Sequence, residues 1–150
     1  MAGNILSQFQ DLGFSAALAL AAIGSALGTG AAGMAAVGAW KKCFAQSKAA
    51  PFILTVFVGA PLSQTIYGFI VMNTLSAKAG SGVYLWSAGI FAGIALGMSA
   101  LMQGKAGAAA SDAMAETGKG FGNYIMVLGV IETVALFVMV FIMMGVANIK

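Results

Sequence analysis

The sequence predicts an all-α membrane protein whose four transmembrane helices form two tandem helical hairpins. Three observations predict it. Of 150 residues, 61% are hydrophobic and only 7% charged, far from the roughly 25% charged residues of a soluble domain. Four apolar blocks of spanning length use up nearly the whole chain, because about 20 apolar helical residues match a hydrocarbon core of about 30 Å. The second half also repeats the first, a check that precedes any decision on fold.

The blocks run roughly over 12–40, 51–75, 84–113 and 121–147. They pair as a first hairpin over 12–76 and a second over 84–147, in one membrane domain spanning 1–150 with no soluble domain left over. In the repeat, "SALGTGAAGMAAVGA" (25–39) aligns with "SALMQGKAGAAASDA" (99–113) at nine of fifteen positions. Setting Gly59 against Gly129 lays "GAPLSQTIYGF" over "GVIETVALFVM". Leu62 then falls on Glu132, Ser63 on Thr133 and Tyr67 on Phe137.

Block one holds twenty Gly, Ala, Ser or Thr among residues 13–40. Block three holds seventeen among 87–113, including Gly89, Gly93 and Gly97 at four-residue spacing. Small residues let helix backbones approach closely in lipid, so blocks one and three are expected to pack tightly. Blocks two and four, rich in Phe, Ile, Leu, Val and Met, can face lipid.

The net charge of +3 comes from seven Lys and four acids, several of them in the connectors, and is no nucleic-acid footprint. Lys41, Lys42 and Lys48 crowd the first connector and Lys119 sits in the third. Lys78 lies in the second, and the N-terminal segment offers only Asp11. The positive-inside bias places connectors one and three in the cytoplasm and both termini outside. With no basic n-region and too long a first apolar block, no cleavable signal peptide is expected. The lone Cys43 has no disulfide partner in the chain and reads as a small residue beside a loop.

Block four, "YIMVLGVIETVALFVMVFIMMGVA", carries Glu132 at its middle. A carboxylate at that depth costs several kcal/mol unless protonated or paired, and by default marks an ion or proton path. In block two, Ala60, Ser63, Gln64 and Tyr67 follow the i, i+3, i+4, i+7 spacing of one helical stripe. Pro61 within it leaves a carbonyl one turn back without its donor and bends the axis. Such a carbonyl is tolerated at membrane depth only where it lines a site. Gln103 is the polar residue of block three nearest mid-membrane. Lys105 lies about 200° around the helix from it and falls outside the site. One carboxylate, two amide oxygens, a hydroxyl and a freed carbonyl make the all-oxygen ligation a hard cation needs. A proton carrier would need only the carboxylate, so the extra oxygens favour Na⁺ over H⁺.

Over essentially its full length the chain resembles the proteolipid rotor protein of V-type rotary ATPases, the K or c component, in its duplicated four-helix form. The residues that carry the resemblance are the Gly/Ala-rich helices, "GAPLSQTIYG", Gln103 and "VIET", with the acid kept only in the second copy. The resemblance implies Na⁺ held by Glu132, Gln64, Gln103, the Ser63 hydroxyl and the Ala60 carbonyl, with Tyr67 hydrogen-bonded to the glutamate. Ser63 stands where the family often has Thr, and Leu62 where a smaller residue is common. It further implies a homo-oligomeric ring with helices one and three inside, turning against a stator whose arginine competes for the carboxylate. ATP hydrolysis in a soluble head would drive it through central-stalk subunits. Partners are therefore identical subunits, stator, stalk and lipid, with no nucleic acid. The chain itself catalyses nothing, and the expected location is a prokaryotic plasma membrane. The rival readings are the same rotor carrying H⁺, a small proton-coupled exporter of cationic drugs, and a purely structural membrane channel. An exporter's acid usually sits among aromatics, whereas Glu132 is expected among Gln, Ser and small residues.

Overall fold

The computed structural model describes residues 2–79 and 85–149, the side chains of residues 2–4 and 6–11 excepted. Its helices are α1 (Ala2–Ala45), α2 (Leu54–Gly59), α3 (Ser63–Ser76), α4 (Trp86–Thr117) and α5 (Phe121–Ala147), with a 3₁₀ turn over Ala60–Leu62 joining α2 to α3. Among the described residues there is no strand. Among the same residues, four segments are long and apolar enough to cross a membrane: Leu12–Ala45, Leu54–Ser76, Trp86–Thr117 and Phe121–Ala147. The chain is a multi-pass integral membrane protein.

Several expected boundaries shift. The first and third helices run past residues 40 and 113, to Ala45 and Thr117, because their last turns are held together. Lys42 pairs with Glu116, and the buried Cys43 thiol lies 3.9 Å from the Ala115 carbonyl. The second span begins at Leu54, after a connector fixed by the Trp40 indole donating to the Pro51 carbonyl at 2.8 Å. Residue 84, the expected start of the second hairpin, lies outside the described residues, as does the side chain of Asp11.

Those contacts put the C-terminal ends of α1 and α4 together. At the other end the Lys78 ammonium donates to the Ile149 carbonyl at 2.6 Å, so α3 and α5 also end together. The hairpins therefore stand side by side in the same orientation. The α4–α5 connector is tight because Gly118 and Gly120 take φ of +66° and +91°, angles that cost a side chain strain.

Glycine sets the distance between α1 and α4. A Cβ on Gly97 would lie 2.5 Å from the Leu20 carbonyl oxygen, one on Gly93 2.6 Å from that of Ala16, and one on Gly104 2.1 Å from that of Gly28. The backbones touch at each turn, as small-residue helices allow in lipid. α3 meets α1 the same way at Gly68, where a Cβ would lie 2.7 Å from that of Ala21. By contrast α5 keeps Val130, Val134, Phe137 and Phe141 exposed.

Candidate functional site

The site lies where α3, α4 and α5 meet, and the break at Pro61 builds its first part. Proline has no N–H for the carbonyl one turn back, and its ring crowds that carbonyl, so the span tightens into the 3₁₀ turn Ala60–Leu62. The Phe57 carbonyl one turn back faces α4, where a Cβ on Gly107 would meet its oxygen at 2.8 Å. The Ala60 carbonyl turns to the site instead, with the Ser63 hydroxyl 3.1 Å away. That hydroxyl is also 3.3 Å from Gln64 Oε1. Its single proton can serve one acceptor at a time.

Gln64 is wholly buried, and Gln103 is 1% exposed. The Gln64 amide N–H donates to Gln103 Oε1 at 2.9 Å. Gln103 Nε2 in turn donates to the Leu128 carbonyl at 3.0 Å and lies 3.3 Å from Glu132 Oε2. The other carboxylate oxygen, Oε1, accepts the Tyr67 hydroxyl at 2.7 Å. One continuous network therefore runs from Ala60 through Ser63, Gln64 and Gln103 to Glu132 and Tyr67, and it includes every residue of the expected set. Lys105 is exposed on α4, whereas Gln103, two residues earlier, is buried.

Local geometry explains the aim of each side chain. Gly68 seats α3 against α1, and Gln64, one turn earlier, shares that buried side. Tyr67 is rotated about 100° from Gly68 and reaches α5. Ser99, which is not in the expected set, flanks this site on the same face of α4 as Gln103. It is buried, and its hydroxyl donates to the Ile131 carbonyl at 3.0 Å. With Gln103 on Leu128, it fastens α4 to the turn of α5 just before Glu132. The signal was available: Ser99 stands four residues before Gln103, on the same helical face.

Chemically, the arrangement offers one carboxylate among neutral oxygens and amide donors. Glu132 is half-buried and takes two donors, which suits either an ionised carboxylate or one that shares a proton. An amide oxygen has two acceptor sites, so Gln103 Oε1 keeps one free beyond the bond from Gln64.

Residues 86–145 match the family model of the ATP synthase C subunit. The second hairpin thus carries that family's pattern, with Gln103 and Glu132 both inside the matched stretch. The match spans α4 and nearly all of α5, about two fifths of the chain, and stops short of the first hairpin. No curated protein matches the chain. The matched hairpin is the half that keeps the acid; at the equivalent place in the first hairpin stands Leu62.

Proposed function

We propose that this chain is a rotor-ring subunit of a V-type ATPase that carries Na⁺ across the membrane at Glu132. The observation that carries the reading is the network joining Glu132, in the family-matched hairpin, to the neutral oxygens of the first hairpin. The Ser63 hydroxyl oxygen stands 3.1 Å from the Ala60 carbonyl oxygen and 3.3 Å from Gln64 Oε1. Oxygens bound at about 2.3–2.6 Å around an octahedral cation sit about 3.3–3.7 Å apart. Three neutral ligands are close to that spacing before an ion arrives. Glu132 supplies the compensating charge and Gln103 the fourth neutral oxygen, through its free acceptor site.

In this reading identical chains close a ring with α1 and α4 toward the lumen. The span of α2 and α3 faces outward, as does α5. ATP hydrolysis in a soluble head turns the ring through a central stalk. Each Glu132 loads Na⁺ from one half-channel of a stator and delivers it to another, where a stator arginine competes for the carboxylate. Between the two the ion site faces lipid, and Tyr67 holds the carboxylate over the ion. Connectors one and three lie in the cytoplasm of a prokaryotic cell.

The proton reading has one observation in its favour. The Gln64 amide already commits a donor to Gln103 Oε1, leaving Glu132 with two hydrogen bonds that a protonated carboxyl can keep. The experiment that decides is carbodiimide labelling of purified protein with and without Na⁺, beside a native mass measurement. Labelling at Glu132 that Na⁺ prevents, on a large ring, is the expected result. Labelling indifferent to Na⁺ returns the site to protons, and a dimer in place of a ring favours the exporter.

A further inference from the structure

We propose that Ser25 and Thr29 on α1 hold one buried water, and that this water positions Gln64 from behind, fixing which end of its amide faces the ion. The effect on ion affinity rests on the sodium reading above, whereas the water itself does not.

The Ser25 and Thr29 hydroxyl oxygens are buried and have no hydrogen-bond partner. Buried polar groups without partners are uncommon and call for an explanation, an ordered water among them. The two residues stand four apart on α1, so their side chains are neighbours on one face. What that face meets follows from two close contacts between α1 and the second span. A Cβ on Gly68 would lie 2.7 Å from that of Ala21, and a Cβ on Gly28 3.1 Å from that of Pro61. Ser25 lies one turn from Ala21 toward Gly28, and Gln64 one turn from Gly68 toward Pro61. Both are buried, Ser25 at 2% and Gln64 at 0% exposure. The Ser25 hydroxyl is therefore set opposite Gln64, with Thr29 one turn on, at the level of the helix break.

Gln64 has a donor to spare. Its amide carries two N–H groups, and one goes to Gln103 Oε1 at 2.9 Å. Neither α1 hydroxyl reaches the other directly. One water meets the need of all three groups. It accepts the second Gln64 N–H and donates to the Ser25 and Thr29 oxygens, which makes three bonds, the usual number for a buried water. The consequence is orientation. The proposed ion ligand is Gln64 Oε1, and a flipped amide would turn an N–H toward the cation instead. With Nε2 held by Gln103 on one side and by the water on the other, Oε1 is left to the side of Ser63, whose hydroxyl stands 3.3 Å away.

Ser25→Ala tests this by the sign of its effect. Na⁺ protection of Glu132 against carbodiimide is expected to weaken by about two- to tenfold, and thermal stability of the purified protein to fall. If the hydroxyl is only an unsatisfied buried group, its removal relieves a desolvation cost. Stability then holds or rises and Na⁺ protection is unchanged, which overturns the proposal. Thr29→Ala should act alike, and the double variant should lose little more than the larger single loss, since both residues hold one water. Fully additive losses overturn the shared water. On a Gln64→Leu background, Ser25→Ala should leave Na⁺ protection where it is, and a further loss overturns the link to Gln64. A structure of the purified protein detailed enough to show ordered water decides without reference to the ion. Density within hydrogen-bond reach of Ser25 Oγ, Thr29 Oγ1 and Gln64 Nε2 is expected, and its absence overturns the site. Labelling of the unsubstituted protein that Na⁺ never prevents would instead count against the sodium reading, and the density would still decide the water.

Discussion

Tyr67 donates a 2.7 Å hydrogen bond to Oε1 of Glu132, across 65 residues of sequence and from one hairpin to the other. This bond ties the carboxylate of the second hairpin to the first hairpin, which the family match does not reach. A hydrogen bond to a charged group contributes about 1.5–3 kcal/mol. Tyr67→Phe should therefore weaken Na⁺ protection against carbodiimide by roughly one to two powers of ten. Assembly of the proposed rotor should survive, since the aromatic ring of the side chain stays. Equal protection curves for the two forms would reduce Tyr67 to packing.

Glu132→Gln should abolish carbodiimide labelling within the membrane. The remaining described acids, Asp112 and Glu116, sit near the end where Lys42 pairs with Glu116, within reach of water, whereas the reagent attacks protonated buried carboxyls. Mass mapping of labelled peptides checks this. A label that persists in the variant would move the ion path elsewhere.

Ser99→Ala should have a smaller effect than Tyr67→Phe, because the Ile131 carbonyl it bonds keeps its own helical donor. A neutral hydrogen bond contributes about 0.5–1.5 kcal/mol, so Na⁺ affinity should fall by no more than about tenfold. A loss as large as that of Tyr67→Phe would mean that Ser99 does more than fix the register of α5.

Much of this could be read in the sequence, for identifiable reasons. Four apolar blocks and a repeated hairpin fix the helices, since lipid allows few other ways to satisfy a spanning backbone. The polar stripe Ala60, Ser63, Gln64 and Tyr67 was visible by its spacing, and Gln103 by its depth. The 3₁₀ turn was less legible: a proline announces a break in the ladder, but the neighbouring helices decide how the chain absorbs it. The extra turns of α1 and α4 depend on the pairing of Lys42 with Glu116, 74 residues away, which no local pattern shows. The pairing of Gln64 with Gln103 is likewise a product of packing, because position along a helix assigns each amide a depth and not a direction.

Gly104→Ala tests that packing directly. Its new methyl would lie 2.1 Å from the Gly28 carbonyl oxygen and 2.2 Å from the Gly28 Cα, both backbone atoms that cannot swing aside. Overpacking of this kind typically costs about 1–3 kcal/mol, and here it pushes α4 from α1 beside Gln103. Gly122→Ala meets open space in the chain and serves as the control. Thermal dissociation of detergent-solubilised protein should fall for the first and hold for the second.

Gln103 is the hub of the site and gives the sharpest test of the coupling ion. It accepts from Gln64, donates to the Leu128 carbonyl and reaches Glu132 Oε2, whereas the Gln64 side chain bonds only Gln103 and Ser63. Replacing Gln103 with Leu strands the buried Gln64 N–H and removes one neutral oxygen from the proposed cation site. An unsatisfied buried group costs about 1–3 kcal/mol, which falls on folding and on ion binding together. Gln64→Leu also removes an oxygen, but it leaves Gln103 its bonds to α5, so the Glu132 carboxylate keeps its place. Both variants should lose Na⁺ affinity by about ten- to a hundredfold, and Gln103→Leu should lose thermal stability as well. A proton needs the carboxylate alone, so ATP-driven acidification of vesicles should persist where uptake of radioactive Na⁺ fails. If both variants take up Na⁺ with unchanged affinity, the neutral oxygens are not ligands and the ring runs on protons.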